Sequence, residues 1–276
     1  MKVALLLKGS SIASYDHWQY KDRIEIDYKH SIDNLNQNLI KDNNCDVFFH
    51  TWKSENIDIN CYKEMASDLN AVSWSIDNDI SGEHGPALGK KIVTTTKKVI
   101  DCYNKYKEEN QIDYDLVIIC RFDLFFLQKI NLSKILETWE NPSNSIWVYA
   151  LGPNVDNLYI DKNTIKDVGI DDNFIVFSPD AVDIYNTKLD LKKETIATYR
   201  SDEFFNPTQH CSLHHLYYLL PRSVDIINLV HVLPETEKKS IHGSVKKISP
   251  YSLLMKGCPT DRCTRLDYDL FVIHYE

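Results

Sequence analysis

The chain has 276 residues, 43% hydrophobic and 26% charged, the balance of a folded globular protein rather than a disordered one. With 31 basic against 40 acidic residues the net charge is −9, so the average surface repels nucleic acid and anionic membrane, and neither is an expected partner. At this length roughly three quarters of the unfolded surface can be buried, and folding needs neither a disulfide nor a structural metal.

The N-terminal apolar run, residues 3–7, is shorter than the ~7–15 residues of a secretory leader. No stretch approaches the ~20 apolar residues of a membrane span. The seven cysteines are an odd number without a disulfide pattern, and a reducing, cytoplasmic setting is expected. Cys45, Cys102 and Cys120 fall in apolar or periodic segments, where cysteine acts as a small hydrophobe. Pairing of Cys258 with Cys263 stays open, and their spacing does not match a common zinc knuckle.

In chain order, residues 2–8 read as a buried strand that ends at the Gly9 turn. Ile32, Leu35, Leu39 and Ile40 recur at helical spacing between residues 27 and 43, with Asp27 as a candidate cap. Asn43-Asn44 breaks that helix, and residues 45–50 give a second strand. A strand–helix–strand unit is the signature of a parallel sheet. Residues 54–89 are polar and poorly periodic apart from a short alternating strand at 71–76. An apolar stripe from Ile92 to Tyr106 predicts a helix ending near Asn110, followed by a buried strand over 114–120. Strands are expected at 145–150 and 172–178, a helix from Pro179 to Thr187, another over 207–220, and a last sheet element over 224–232. The fold class is α/β: one domain over 1–276 with a mostly parallel central sheet flanked by helices and a less regular C-terminal portion.

The chemistry concentrates where the aliphatic run of 116–119 stops at Arg121-Phe122-Asp123. Carboxyl ends of parallel strands line the ligand crevice of open α/β sheets. Two charges one residue apart on a strand point the same way, as a ligand-binding pair or as an ion pair that caps the sheet. A second acidic cluster, Asp171-Asp172, precedes another apolar strand.

Four short motifs in order, Lys8-Gly9, His50-Thr51-Trp52, Arg121-Phe122-Asp123-Leu124, and Asp171-Asp172-Asn173-Phe174 running to Ser178-Pro179, resemble those of GT-A-type glycosyltransferases of bacterial and viral surface-glycan clusters. The resemblance covers residues 1–220 in element order. It implies a GT-A-like fold with a nucleotide-sugar-binding half over 1–130 and an acceptor half over 131–276. It also implies transfer of a sugar from a nucleoside diphosphate sugar to a glycan or other hydroxyl acceptor.

Under that reading Lys8, Gly9, Thr51, Trp52, Arg121 and Lys246 border the donor, with Trp52 available to stack on the base. Asp123 and His242 are the metal ligands for Mn²⁺ or Mg²⁺, which would bridge phosphate oxygens. Asp172 is the candidate base that deprotonates the acceptor hydroxyl, and Asp171 its rival. Arg121 stands where relatives with Asp-x-Asp have a first carboxylate. An Arg cannot ligate a metal but can fork to phosphate. A catalytically inactive binding module of the same fold and a sugar nucleotidyltransferase are the alternatives. The lysines at 90, 91, 97 and 98 read as a solvated helix face, and His210 and His214 lack a third zinc ligand.

Overall fold

The computed structural model describes residues 1–16, 23–54, 57–78, 86–122, 124–126, 129–137, 144–151, 169–189, 223–228, 236–239, 245–248, 251–254, 264–266 and 271–273. The elements run β1 (Val3–Lys8), β2 (Ile12–Asp16), β3 (Arg23–Asp27), α1 (Lys29–Leu35), a π-helical turn (Asn36–Ile40), β4 (Cys45–Lys53), α2 (Ile59–Asp68), β5 (Ala71–Asn78) and α3 (Pro86–Asn110). They continue with β6 (Leu116–Arg121), β7 (Leu124–Phe126), α4 (Ser133–Glu137), β8 (Ser145–Leu151), β9 (Gly169–Phe177), α5 (Pro179–Lys188) and β10 (Asp225–Asn228). Short strands follow: β11 (Thr236–Lys239), β12 (Val245–Ile248), β13 (Tyr251–Leu254), β14 (Thr264–Leu266) and β15 (Phe271–Ile273).

Seven strands form the central sheet in the order β10-β8-β9-β6-β1-β4-β5. The pairs β1/β4, β1/β6, β4/β5 and β10/β8 are parallel, and β9 runs antiparallel between β6 and β8. This is the mostly parallel Rossmann-like α/β class expected. From β1 the chain builds outward through β4 to β5, then returns to the other side of β1 to place β6. The order therefore reverses between β1 and β6, a topological switch point, and in open α/β sheets ligands bind at the carboxyl ends of such strands.

Both faces of the sheet are covered, which is why its central strands read as continuous apolar runs. Val3, Leu5, Leu7, Phe49, Ile118, Cys120, Phe174 and Val176 face one layer with Ile32, Leu35, Leu39, Tyr62 and Met65. Ala4, Leu6, Phe48, Val117, Ile119, Ile175 and Phe177 face the other, with Val99, Ile100 and Tyr103 of α3 and Val182 and Tyr185 of α5. Phe48 meets Tyr103, Tyr106 and Tyr114 edge-on at centroid separations of 5.8, 5.5 and 6.2 Å.

Several expectations are corrected. Asp27 closes β3 and does not cap α1, which starts after Tyr28 with no side-chain cap bond. The helix expected to reach residue 43 is α-helical only to Leu35 and continues as the π-turn. Within the stretch read as aperiodic lies α2, capped by Asp58, whose carboxylate accepts from the Asn60 N–H at 2.7 Å. Helix α3 begins at Pro86, earlier than its stripe. Strand β10 is the edge of the central sheet but not the last strand: β7, β13, β14 and β15 form a separate four-stranded sheet, and β11 with β12 a two-stranded ribbon. The helix expected over 207–220, the residues Cys258 and Cys263, and the histidines 210 and 214 lie outside the described residues. Among the described residues Cys120 is buried, Cys45, Cys61 and Cys102 are half-buried, and no disulfide joins them. No described helix is long and apolar enough to cross a membrane.

Candidate active site

One row of side chains crosses the sheet at the carboxyl end of its parallel strands. His50 of β4 is in register with Lys8 of β1, and Lys8 with Arg121 of β6. Cys120 pairs with Phe174 of β9, so Asn173 follows beside Arg121, whose Nη1 donates to Asn173 Oδ1 at 3.3 Å. Two residues earlier, on the same face, the row is Phe48, Leu6, Ile119 and Ile175, all in the apolar layer. Strand alternation thus switches this face from wholly apolar to wholly polar within one step. The result is a sharply bounded polar floor containing two cations.

Lys8 is buried, and its Nζ lies 3.4 Å from Thr96 Oγ1 of α3. Gly9 has φ +105°, a conformation glycine adopts without strain, and it lets the chain turn away at the crevice. The Gly9 N–H donates to Thr95 Oγ1 at 3.3 Å. That oxygen also lies 2.7 Å from Nδ1 of fully buried His50. Asp77 Oδ2 stands 3.4 Å from His50 Nε2 and the same distance from Lys98 Nζ, which is ion-pair distance but leaves Nε2 without a hydrogen bond of good geometry. An acceptor-only carboxylate favours the tautomer with its proton on Nε2, leaving Nδ1 to accept from Thr95. Burial holds the imidazole down at about 4, against the opposing pull of Asp77, so it is neutral near pH 7.

Hydroxyl, imidazole and carboxylate stand here in the order that activates a nucleophile. Thr95 Oγ1, however, is buried and already accepts from Gly9, so the chain braces the Lys8-Gly9 turn and attacks nothing. Behind the turn, Thr51 Oγ1 lies 2.8 Å from Ser11 Oγ and accepts from the Ser11 N–H at 3.1 Å.

The predicted residues divide into three groups. Lys8, Gly9, Thr51 and Arg121 lie together at the carboxyl edge of β1, β4 and β6. The backbone of Asp171 and Asp172 reaches the same edge, because β9 is antiparallel to β6 and starts where β6 ends. Strand β8 pairs Val148 with Ile175 and Ala150 with Ile170, so residues 171–174 bulge opposite the single residue Tyr149. Bulges of this kind re-aim side chains and gather near active sites. Lys246 lies in β12, opposite Lys238 of the two-stranded ribbon. Asp123 and His242, the expected metal ligands, fall outside the described residues. Among the described residues no group of three His, Cys, Asp or Glu side chains could hold a metal ion.

The expected stacking role of Trp52 is corrected. The residue is only 4% exposed, His50 meets its ring edge-on at 5.0 Å, and Lys91 Nζ lies 5.4 Å from its centroid. The ring is a packed wall rather than an open platform. Of the four lysines read as a solvated face, Lys98 is exposed and paired with Asp77, while half-buried Lys91 covers Trp52. Sequence reasoning missed Thr95, Thr96 and the part played by His50; the run Thr94-Thr95-Thr96 on a helix stripe was the available signal.

No family model and no curated protein matches the chain. Among solved structures it is similar to a nucleoside-diphosphate-sugar pyrophosphorylase from Vibrio cholerae, with TM-score 0.43 and 14% identity over 83% of this chain and 91% of that one. It is also similar to S. aureus TarS residues 1–349, with TM-score 0.40 and 11% identity, and to the apo glycosyltransferase GlyE of Streptococcus pneumoniae, with TM-score 0.39 and 10% identity. The matches cover 82% and 83% of this chain but 58% and 46% of those two.

Proposed function

We propose that the crevice between β1 and β6 binds the diphosphate of a nucleoside diphosphate sugar and that the protein transfers the sugar to a hydroxyl acceptor such as a glycan. The observation that carries this reading is the in-register placement of Lys8 and Arg121 at the carboxyl ends of the two switch-point strands. Two cations side by side at the carboxyl ends of switch-point strands suit an anionic ligand. A guanidinium forks to two phosphate oxygens, an ammonium adds a point charge, and both strengthen where water is excluded.

In glycosyl transfer the bond from the anomeric carbon to the diphosphate oxygen breaks, and negative charge grows on the leaving group. Lys8 and Arg121 are the groups proposed to stabilise that charge. Asp172 is the proposed base that takes the acceptor proton as the new glycosidic bond forms, with Asp171 its rival. Mn²⁺ or Mg²⁺ at Asp123 and His242 stays part of the proposal; it would supply further positive charge at the diphosphate. No step here is routed through that ion.

Thermal shift and calorimetry with UDP, GDP and their sugars, each with and without Mn²⁺, test the reading. A ligand specific for the native state at a hundred times its dissociation constant stabilises by ~2.7 kcal/mol. Lys8→Met and Arg121→Ala are expected to weaken binding of whichever nucleotide produces the shift. If no nucleoside diphosphate shifts the wild-type protein under either condition, the proposal is wrong.

A further inference from the structure

We propose that Ser31 and Asn34 of α1 are positioning residues for the cationic floor, fixing the segment that leaves β6 so that Arg121 keeps its place beside Lys8. The inference rests on the diphosphate reading above and assigns a role to a helix outside the crevice.

Phe122 is the hub. Its N–H donates to the Lys8 carbonyl at 3.4 Å, tying the residue after Arg121 back to β1. Its own carbonyl accepts from Ser31 Oγ at 2.7 Å. The Ser31 hydroxyl also lies 3.1 Å from the Tyr28 carbonyl, but it has one proton and the shorter contact is the better bond. Four residues on, one carboxamide takes both main-chain groups of Phe126: Asn34 Nδ2 donates to its oxygen at 2.8 Å, and Asn34 Oδ1 accepts from its N–H at 2.6 Å. Asn38 Nδ2 adds a longer contact to the same oxygen at 3.4 Å.

The opposite side of this segment is held by main chain, because β7 pairs antiparallel with β13 through Leu124↔Leu253 and Phe126↔Tyr251. Asn34 therefore acts as a one-residue strand on the other side of β7. The described strand β7 is thus held by bonds at Phe126, and the residue that ends β6 by bonds at Phe122.

Apolar packing would suffice to seat this helix, since Phe122, Leu124 and Phe126 are all buried in the same layer as Ile32, Leu35 and Leu39. Hydrogen bonds add direction and register, which hydrophobic contact does not supply. Polar side chains that orient metal ligands typically change affinity or activity ~10–100-fold when removed, and the lower end of that range is the expectation here.

The test measures dissociation constants of UDP and of GDP by calorimetry at 15 °C, well below unfolding, for the wild type, Ser31→Ala, Ser31→Thr, Asn34→Ala and Asn34→Asp. Hydrogen exchange of peptides spanning 121–130 is followed in parallel. For the nucleotide that binds, Ser31→Ala and Asn34→Ala are expected to weaken binding ~10-fold and to speed exchange across 121–126. Ser31→Thr, which keeps the hydroxyl, should restore both. Asn34→Asp keeps the acceptor for the Phe126 N–H and should fall between. Ser31→Ala removes a single hydroxyl, so it remains informative even if the Asn34 variants do not fold. Equal affinities across the set, with a binding wild type, refute the positioning role and leave the diphosphate reading intact. A wild type that binds neither nucleotide, with or without Mn²⁺, removes that reading and this inference with it.

Discussion

Acid should destabilise this protein through His50 before most carboxylates titrate. Fully buried between α3 and β5, with Thr95 on one nitrogen and Asp77 near the other, the imidazole is held down at about 4 chiefly by burial, with Lys98 opposing protonation as well. In the unfolded chain a histidine titrates near ~6.5. Because the folded value is the lower one, the unfolded state takes up a proton first as pH falls. Stability is therefore complete above ~6.5 and declines toward the folded value near 4. Between pH 7 and pH 5 the window spans about 1.5 pH units, which at about 1.36 kcal/mol per unit is a loss of ~2 kcal/mol. Urea unfolding of the wild type and His50→Gln at both pH values isolates this contribution, since carboxylate effects are shared. The wild type should lose ~2 kcal/mol more than the variant between the two conditions. Parallel losses would mean that His50 is not a buried neutral base, and the brace it forms with Thr95 would lose its footing.

Two further outcomes follow from the packing and the site. Phe48→Ala should cost ~3–5 kcal/mol in chemical denaturation, because its ring is fully buried against Tyr103, Tyr106 and Tyr114 and three aromatic partners cannot collapse into the void. Asp172→Asn should lower sugar transfer ~10²–10⁴-fold while leaving nucleotide affinity within about twofold, measured by product formation and calorimetry; full retained activity would place the base elsewhere.

The strands most legible in the sequence were those buried on both faces. Residues 3–7, 47–49 and 116–119 are apolar without alternation, and each became an inner strand of the sheet. The antiparallel direction of β9 was not legible, since residues 174–177 would be equally apolar in either orientation. Helix α2 was missed because its buried stripe is thin, with Tyr62 and Met65 its buried residues, although Asp58 offered a capping signal. The hairpin of β2 and β3 was missed because residues 12–16 carry no long apolar run. At the site, the abrupt stop of the aliphatic run at Arg121 marked the carboxyl end of β6, while Lys8 entered only through the resemblance and its row with His50 and Arg121 was not foreseen. Ser31, Asn34 and Thr95 could not be found that way. Their partners include backbone atoms 86–92 positions away, and nothing local marks a side chain whose counterpart is a distant peptide group.

The strand order also bears on how the molecule is made. β1 lies between β4 and β6, so its second neighbour is not synthesised until the ribosome has passed residue 121. Until then Val3 to Leu7 present one bare edge of a fully apolar strand, the kind of template that recruits other nascent chains. The long helix α3 precedes β6 directly and packs over β1, β4 and β5, so it can shelter one face of the growing sheet during that interval. The exposed edge then closes when β6 docks. Ribosomal pausing before residue 121 should prolong the vulnerable interval.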